Sequence, residues 1–294
     1  MEYVSDYTHA TVDPAGWARA REDQGWSILS VADHFHFFAR PYPHVWVSAS
    51  AMAAATTQAR ITTAFTNNVF RSPVEVAQAA LMMQLVADGR FELGMGAGWL
   101  RDEVIDAGMS YPEPRDRAGA FIESVQVVRS LLHTGRCDFK GSYYEVHIDG
   151  IGPVSERPPA LIASVGGRRT VREVTPHCDK VEIKPFGSMS RSGEFDLHGW
   201  AQIPESHIVA MIERVRQVRP DIEIGAYLIC NVGDDDLTRE LEKLAGDGIF
   251  SRFFGSASKV AEGMAWLGEL GITRCQLGAI DDASYDRLAP VLFS

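Results

Sequence analysis

The strongest constraint in the sequence is the regular alternation of short β-branched runs with longer amphipathic runs. This alternation is typical of repeated strand–helix units, whose strands lie parallel in one sheet. Eight strands are predicted, at residues 3–7, 27–32, 61–66, 91–95, 160–165, 180–184, 222–230 and 274–279. Eight strand–helix units in 294 residues match a (β/α)₈ barrel, which typically needs about 250 residues.

The competing architecture is a doubly wound open sheet, which usually carries a glycine-rich dinucleotide fingerprint after its first strand. No such fingerprint follows residues 3–7. We therefore predict an α/β fold of the TIM-barrel class. The sequence shows no linker and no shift in composition, so a single domain is predicted over residues 1–294.

Helix ends are marked by capping residues and glycines. Asp13-Pro14 and Ser72-Pro73 each place a capping side chain before a proline at the first helical position, which predicts helices that run to Gly25 and Gly89. Three more helices are predicted to begin near residues 115, 206 and 256. Two connections, Asp138–Pro159 and Gly187–Pro204, exceed the usual loop length. We expect these insertions to cover the C-terminal mouth of the barrel and to decide the substrate.

Charge and cysteine content exclude several classes of protein. The chain has 28 basic and 39 acidic residues, a net charge of −11, without a block of Lys or Arg, so a nucleic-acid partner is not expected. Four cysteines (137, 178, 230 and 275) form no CxxC motif and are interpreted as buried thiols in a reducing compartment. The N-terminus lacks a signal-peptide pattern, and no apolar run approaches the roughly 20 residues of a membrane span. These features predict a soluble cytoplasmic protein without a membrane partner.

Candidate catalytic side chains follow the second predicted strand. In TIM barrels the active site is built from loops at the C-terminal ends of the strands, where Asp33 and His34 stand here. An imidazole exchanges protons readily near neutral pH, so His34 is a candidate acid, base or hydrogen-bond donor. The alternative is a surface histidine after a strand.

Two glycine-rich turns follow later strands. Gly94, Gly96 and Gly98 allow close approach of a ligand to the backbone. The run Gly166-Gly167-Arg168-Arg169 adds two guanidinium groups and is the better phosphate candidate. The alternative for both is a tight turn without a ligand.

His34 and His36 also form an HxH pair, which in a barrel can begin a metal site. Among the later strand ends, only Asp281 and Asp282 are suitable as further ligands. We therefore predict no metal site.

Taken together, these motifs resemble the luciferase-like oxidoreductase superfamily. The resemblance is strong over residues 14–185 and looser near the C-terminus. It rests on VADHF after strand two, TTAFTNNVFRSP through strand three, GRFELGMGAGW with Glu103 following, PPALIASVGG at strand five and GSASKVAEGMAWLGELGI near the C-terminus. Within the superfamily the sequence is most similar to the branch that uses the 8-hydroxy-5-deazaflavin coenzyme, with the FMN-dependent monooxygenases as the near relative.

The resemblance implies that a flavin-type ring lies across the C-terminal mouth of the barrel. A bulge in strand three, often with a non-prolyl cis peptide, would support the ring, and the matching step here is Ala64 to Phe65. Asp33 and His34 would line the ring and the substrate. The other cofactor-binding residues that the resemblance implies are Ala97, Gly98 and Trp99 beside the ring, and Ser164, Val165, Gly166, Gly167 and Arg168 beside the phosphate.

Two positions depart from the sugar-phosphate dehydrogenase branch of the family. That branch has a glutamate where this sequence has Trp99, and a tryptophan near Phe38. These departures argue against sugar-phosphate oxidation. Glu103 is the candidate catalytic substitute for the missing glutamate, the alternative being a surface residue of a helix.

The leading hypothesis is an oxidoreductase that transfers a hydride between the deazaflavin coenzyme and a small organic substrate, with His34 as the acid or base. The runner-up is an FMN-dependent monooxygenase that uses oxygen and reduced flavin from a partner flavin reductase. A third hypothesis is a flavin-binding protein without catalysis. We further expect a homodimer.

Overall fold

A closed barrel of eight parallel strands forms the centre of the chain. The computed structural model describes residues 1–8, 12–37, 40–187 and 191–293. Around the barrel the strands follow the order β1 (Glu2–Tyr7), β2 (Ile28–Val31), β5 (Arg60–Thr63), β7 (Phe91–Gly96), β10 (Ala160–Val165), β11 (Lys180–Ile183), β12 (Glu223–Val232) and β14 (Arg274–Ala279). β14 pairs in turn with β1, which closes the barrel. The predicted TIM barrel and its eight predicted strands are confirmed.

Helices connect and surround the strands. They are α1 (Pro14–Asp23), α2 (Val45–Ala55), α3 (Pro73–Val86), α4 (Arg101–Asp106), α5 (Pro114–Thr134), α6 (Arg168–Val174), α7 (Leu197–Ala201), α8 (Glu205–Val218), α9 (Asp236–Ala245), α10 (Ala257–Glu269) and α11 (Ala283–Leu292). Shorter pieces are the antiparallel pairs β3 (His36–Phe37) with β4 (Arg40–Pro41) and β8 (Cys137–Lys140) with β9 (Glu145–Ile148), the extensions β6 (Thr66–Asn67) and β13 (Phe254–Gly255), and two 3₁₀ turns, Thr175–His177 and Ile249–Arg252.

Capping explains where the predicted helices begin. Asp13 accepts hydrogen bonds from the amides of Ala15 and Gly16, and Ser72 accepts one from Val74. The five predicted helices are present as α1, α3, α5, α8 and α10. Across the described ranges, no helix is long and apolar enough to span a bilayer. The four cysteines are buried and unpaired, as expected.

The third predicted strand is interrupted in the middle. β5 ends at Thr63, the chain passes through a cis peptide bond between Ala64 and Phe65, and β6 resumes at Thr66. The hydroxyls of Thr63 and Thr66 both donate to the carbonyl of Gly94, at 2.8 Å each. A Cβ on Gly94 would lie 2.0 Å from the carbonyl oxygen of Thr63, so only glycine allows this close approach. The cis peptide that the family resemblance implied is confirmed at its expected step.

Charged side chains fill one layer inside the barrel. Glu92 receives hydrogen bonds from Arg274 at 2.5 Å and from Arg60 at 2.8 Å. Although burial raises the pKa of this carboxyl, Arg274, Arg60 and Lys180 together hold it below its ordinary value. The paired charges therefore replace part of the usual apolar filling of a barrel interior.

The two insertions take different positions: the first packs along α5, and the second reaches the mouth of the barrel. Asp138–Pro159 follows the C-terminal end of α5 and folds into the β8–β9 hairpin, which runs back along that helix. Glu123 of α5 accepts hydrogen bonds from three consecutive amides of the hairpin tip, residues 142–144. Gly187–Pro204 reaches the mouth and contains α7. Residues 188–190 of this insertion, and Phe38, lie outside the described residues.

Candidate functional site

A cavity of about 480 Å³ opens at the C-terminal ends of the strands. Its walls come from the residues after β2, the β5–β6 break, the turns after β7, β10 and β11, the start of α5 and the second insertion. This is the end of a TIM barrel where binding sites are built, and the volume suits a cofactor-sized ligand.

Most of the predicted site residues line this cavity. Those that do are Asp33, His34, Ala64, Phe65, Ala97, Gly98, Trp99, Ser164, Val165, Gly166 and Gly167. Glu103 and Arg168 do not line it. Glu103 lies behind His34, whereas Arg168 is exposed at the first position of α6.

His34 is held from behind by Glu103. The Nδ1 atom of His34 lies 2.8 Å from Oε1 of Glu103, and the backbone amide of Phe35 donates to Oε2 at 2.9 Å. Glu103 is 0% exposed, so the alternative interpretation of Glu103 as a surface residue of a helix is wrong. An ionised Glu103 carboxylate can only accept, and a neutral His34 facing it would carry its proton on Nδ1 and its lone pair on Nε2. Tyr42 and Trp99 contact the ring edge to face, which fixes its plane.

Asp33 fixes the loop that follows the strand break. Its carboxylate accepts from the amide of Asn67 at 2.9 Å and pairs with Arg71. Burial raises the pKa of this carboxyl, and the charge of Arg71 opposes the rise. Asp33 therefore supports the cavity wall as well as lining it.

The loop after β7 depends on Gly98. Its φ of +78° belongs to the left-handed region, and a Cβ there would lie 2.2 Å from Oδ1 of Asn67. Arg117, in α5, donates from Nε to the Gly98 carbonyl at 3.0 Å. Together these contacts hold the backbone of residues 97–99 against the cavity.

The turn after β10 is closely covered by the second insertion. A Cβ on Gly166 would lie 2.9 Å from Cα of Gly187, so two backbones meet there without side chains. A Cβ on Gly167 would lie 3.8 Å from Nη2 of Arg191. Arg169 and Arg191 line the cavity beside this turn.

Lys184, just after β11, is a cation on the cavity wall. Its Nζ lies 4.8 Å from the ring centre of Phe65 and 4.9 Å from that of Tyr227. Burial lowers the pKa of its amine, and the carboxyls of Glu182 and Asp6 oppose the change. Burial also raises the pKa of Asp6 to about 7. The wall near the barrel interior thus holds groups that are costly to charge.

Aromatic side chains form one wall of the cavity. Trp99 and Phe186 line it. Behind them Trp200 stacks on Phe186 with ring centres 4.0 Å apart and contacts Trp99 at 5.4 Å. Phe195 packs edge to face against Trp200. Trp200 and Phe195 both belong to the second insertion, which therefore shapes the apolar wall.

The sequence predictions missed most of the cavity's cations. Lys184 was noticed only as a strand-end residue, and Arg115, Arg117 and Arg191 carried no assigned role. Arg169 was already part of the predicted phosphate-binding run. Arg115 and Arg117 lie in the first turn of α5. Because that helix begins at the mouth of the barrel, its predicted start near residue 115 could have placed both arginines at the site. Arg191 lies in an insertion without a motif, so no signal for it was available in one sequence.

His34 and His36, the HxH pair of the sequence, contact different carboxylates. His36 Nε2 lies 3.2 Å from Asp106, whereas His34 faces Glu103. Asp282 instead accepts from Trp17, and Asp281 accepts from Ser284. No cluster of three or more metal-ligating side chains occurs within the part of the chain that the structure describes.

Comparison with known proteins identifies the family to which the chain belongs. The model of the luciferase-like monooxygenase family matches residues 13–268. An F420-dependent glucose-6-phosphate dehydrogenase from Amycolatopsis mediterranei is 31% identical over 159 residues, which are 53% of this chain and 48% of that enzyme. The chain thus aligns with about half the length of such curated relatives.

Solved structures match almost the whole chain. An F420-dependent secondary alcohol dehydrogenase in complex with an F420–acetone adduct has a TM-score of 0.73 and 18% identity, covering 99% of this chain and 98% of its own. An EDTA monooxygenase from Chelativorans sp. BNC1 has a TM-score of 0.72 and 12% identity, covering 99% and 93%. At these identities the likeness shows the shared fold.

Proposed function

Because the chain belongs to the luciferase-like monooxygenase family, we propose that it is an oxidoreductase that uses F420, the 8-hydroxy-5-deazaflavin coenzyme, to oxidise or reduce a small organic substrate. The observation that carries the proposal is the His34–Glu103 pair at the cavity, with Nε2 of His34 available for proton transfer. The identity to F420-dependent dehydrogenases over about half of the chain supports the choice of coenzyme.

The cavity fits a flat ring with a phosphorylated tail. Ala64, Phe65 and the backbone of residues 97–99 offer a surface for the ring at the mouth. The glycine turn at 166–167, with arginines beside it, would hold the phosphate. The bound coenzyme would accept or donate the hydride, which is chemistry that protein side chains do not supply.

His34 would handle the proton that accompanies the hydride. In the oxidation of an alcohol, a hydride leaves the carbon and a proton leaves the hydroxyl oxygen. Nε2 of His34 would accept that proton, while Glu103 holds Nδ1–H and stabilises the imidazolium that forms. In the reverse direction the same nitrogen would donate the proton to the carbonyl oxygen.

The aromatic wall would exclude water and receive the apolar part of the substrate. Trp99 and Phe186 form this wall, and Trp200 supports them from behind. A substrate held there against the ring would react without competition from bulk water. Trp99 also contacts His34, so the wall and the proton-transfer group are fixed together.

A second candidate function is an FMN-dependent monooxygenase that receives reduced flavin from a partner reductase. The description of the matching family model favours it, and the glycine turn would suit either phosphate.

Titration of the full chain with F420 and with FMN, followed by absorbance, separates the two candidates. We expect F420 to bind and its spectrum to change when an alcohol or ketone substrate is added. Binding of FMN alone, with oxygen consumed when the flavin is reduced, would instead establish the monooxygenase. A bound coenzyme that no substrate changes would indicate a binding protein without catalysis.

A further inference from the structure

We propose that Arg191, carried by the second insertion, binds the phosphate of the coenzyme at the Gly166–Gly167 turn. The inference rests on the proposed function, because it concerns the phosphate ester that both F420 and FMN carry. It adds a binding residue from a part of the chain outside the strand–helix units.

Position is the first argument. Arg191 lines the cavity together with Gly166 and Gly167, and its Nη2 would be 3.8 Å from a Cβ on Gly167. Because glycine has no Cβ, that space is open for a ligand oxygen between the turn and the guanidinium. A guanidinium presents paired N–H donors, which match a phosphate group well.

Charge is the second argument. Within the described ranges, no carboxylate forms an ion pair with Arg191 or Arg117, although both line the cavity. Arg117 is buried, and its guanidinium donates to the carbonyl oxygens of Gly98, Pro112 and Arg191. This end of the cavity therefore carries positive charge that an anionic ligand would neutralise.

Anchoring is the third argument. Arg117 donates to the carbonyl of Arg191 at 3.1 Å, and the amide of Arg101 donates to the carbonyl of Gly193 at 3.0 Å. These bonds fix the backbone on both sides of residue 192. A fixed backbone reduces the conformational entropy lost when the Arg191 side chain binds a ligand.

The neighbouring arginines fit the role less well. Arg168 does not line the cavity. Arg169 lines it, but its Nε pairs with Glu173 at 3.2 Å and its Nη1 donates to the carbonyl of Arg115. Among the described residues, no ion pair or hydrogen bond engages the guanidinium of Arg191, which lies beside the turn.

The test compares phosphorylated and unphosphorylated ligands on the full-length chain. Dissociation constants are measured by fluorescence for F420 and FMN, and for the corresponding deazaflavin and riboflavin without phosphate. The variants are Arg191→Gln, Arg168→Gln as the competing assignment, and Arg172→Gln as a control that removes one exposed charge of the same helix. Circular dichroism confirms that each variant is folded.

We expect Arg191→Gln to weaken binding of the phosphorylated ligand about 10- to 100-fold, and binding of the unphosphorylated ligand less than about twofold. Arg168→Gln and Arg172→Gln should change the dissociation constants of the phosphorylated and unphosphorylated ligands by less than about twofold each. Equal losses for both ligands in Arg191→Gln, or a selective loss only in Arg168→Gln, overturn the inference.

Inorganic phosphate separates this inference from the proposed function. We expect phosphate to raise the melting temperature of the wild type more than that of Arg191→Gln. If the wild type binds neither coenzyme but shows this difference, the proposed function fails and the anion site stands. If phosphate raises the melting temperatures of the wild type and Arg191→Gln equally, and both proteins bind the coenzymes equally well, the Arg191 site is refuted. Coenzyme binding itself then still stands.

Discussion

At the scale of single residues, the His34–Glu103 pair shows what a sequence does and does not reveal. His34 could be predicted because it follows a barrel strand directly. Glu103 could not be assigned, because RDEVID is a charged run that suits an exposed helix equally well. Its burial follows from the way α4 packs against the loop after β2, a contact between distant parts of the chain.

Replacing His34 with alanine should reduce turnover about 10²- to 10⁴-fold, because general acid–base catalysis contributes on that order. Coenzyme affinity should change less than turnover, since the proposed phosphate contacts and most of the proposed ring contacts are made by other residues. His36→Ala is the matched control, a histidine of the same loop that pairs with Asp106. Steady-state kinetics and a coenzyme titration check both variants. Turnover within about threefold of the wild type in His34→Ala would contradict the proton-transfer role.

Asp6, buried beneath the cavity, should make stability fall as pH rises. Burial raises its pKa to about 7, so the folded chain holds a proton that the unfolded chain releases near pH 4. Its contribution to the free energy of unfolding is therefore fully present below about pH 4 and is lost as pH approaches 7. The loss is on the order of 2–3 kcal/mol between pH 5 and pH 8.

Urea unfolding of Asp6→Asn at the two pH values tests this. We expect the variant to lose less stability than the wild type between pH 5 and pH 8, since asparagine does not titrate. Asp221→Asn, at an exposed site, should keep the wild-type difference. An unchanged pH dependence in Asp6→Asn would show that Asp6 is ionised throughout.

At the scale of elements, caps located helices better than periodicity did. α3 is apolar on most sides and has no clear helical period, yet Ser72-Pro73 marks its start. α2 is similarly apolar but is capped by His44, a residue without a strong capping preference, and it was not predicted as a helix. α9 was missed although Asp235 caps it, so that signal was present in the sequence.

The second insertion should depend on Gly193. Its φ is +84°, and a Cβ there would lie 2.5 Å from the Tyr111 hydroxyl and 2.9 Å from the Trp99 carbonyl. Gly193→Ala should therefore lower the free energy of unfolding by more than the roughly 1 kcal/mol expected for an alanine at positive φ. It should also weaken coenzyme binding. Gly108→Ala is the control, because its φ is +74° but no atom lies within 4 Å of the added Cβ.

Thermal unfolding and coenzyme titration measure both glycine variants. Equal losses of stability in Gly193→Ala and Gly108→Ala would mean that the insertion adjusts freely. The structure of the insertion would then contribute little to the cavity.

At the scale of the whole molecule, we propose that exposed apolar side chains on α2 and α3 form the interface of the expected homodimer. The two helices contact each other. Val47 of α2 is 67% exposed and Leu85 of α3 is 62% exposed, and Met82 and Val86 of α3 are also exposed. α2 contains no charged residue. Apolar patches of this kind on a protein surface commonly mark interaction sites.

Sedimentation equilibrium of the full chain should show a dimer that Leu85→Glu weakens at least about tenfold, because a charge would enter an apolar interface. Leu237→Glu, on α9, is the control: Leu237 is 46% exposed and lies on a different helix. A monomeric wild type at micromolar concentration would refute the dimer. Equal weakening by both substitutions would place the interface elsewhere.

The hydrogen bonds from Arg117 to residue 191 and from Arg101 to Gly193 have a consequence for protein engineering. They join the insertion to α4 and α5, so segment 187–204 is not an independent module. A chimera that exchanges this segment alone with a relative would separate it from the helices that position it. Retargeting the substrate by recombination therefore requires the transfer of residues 98–117 together with the insertion.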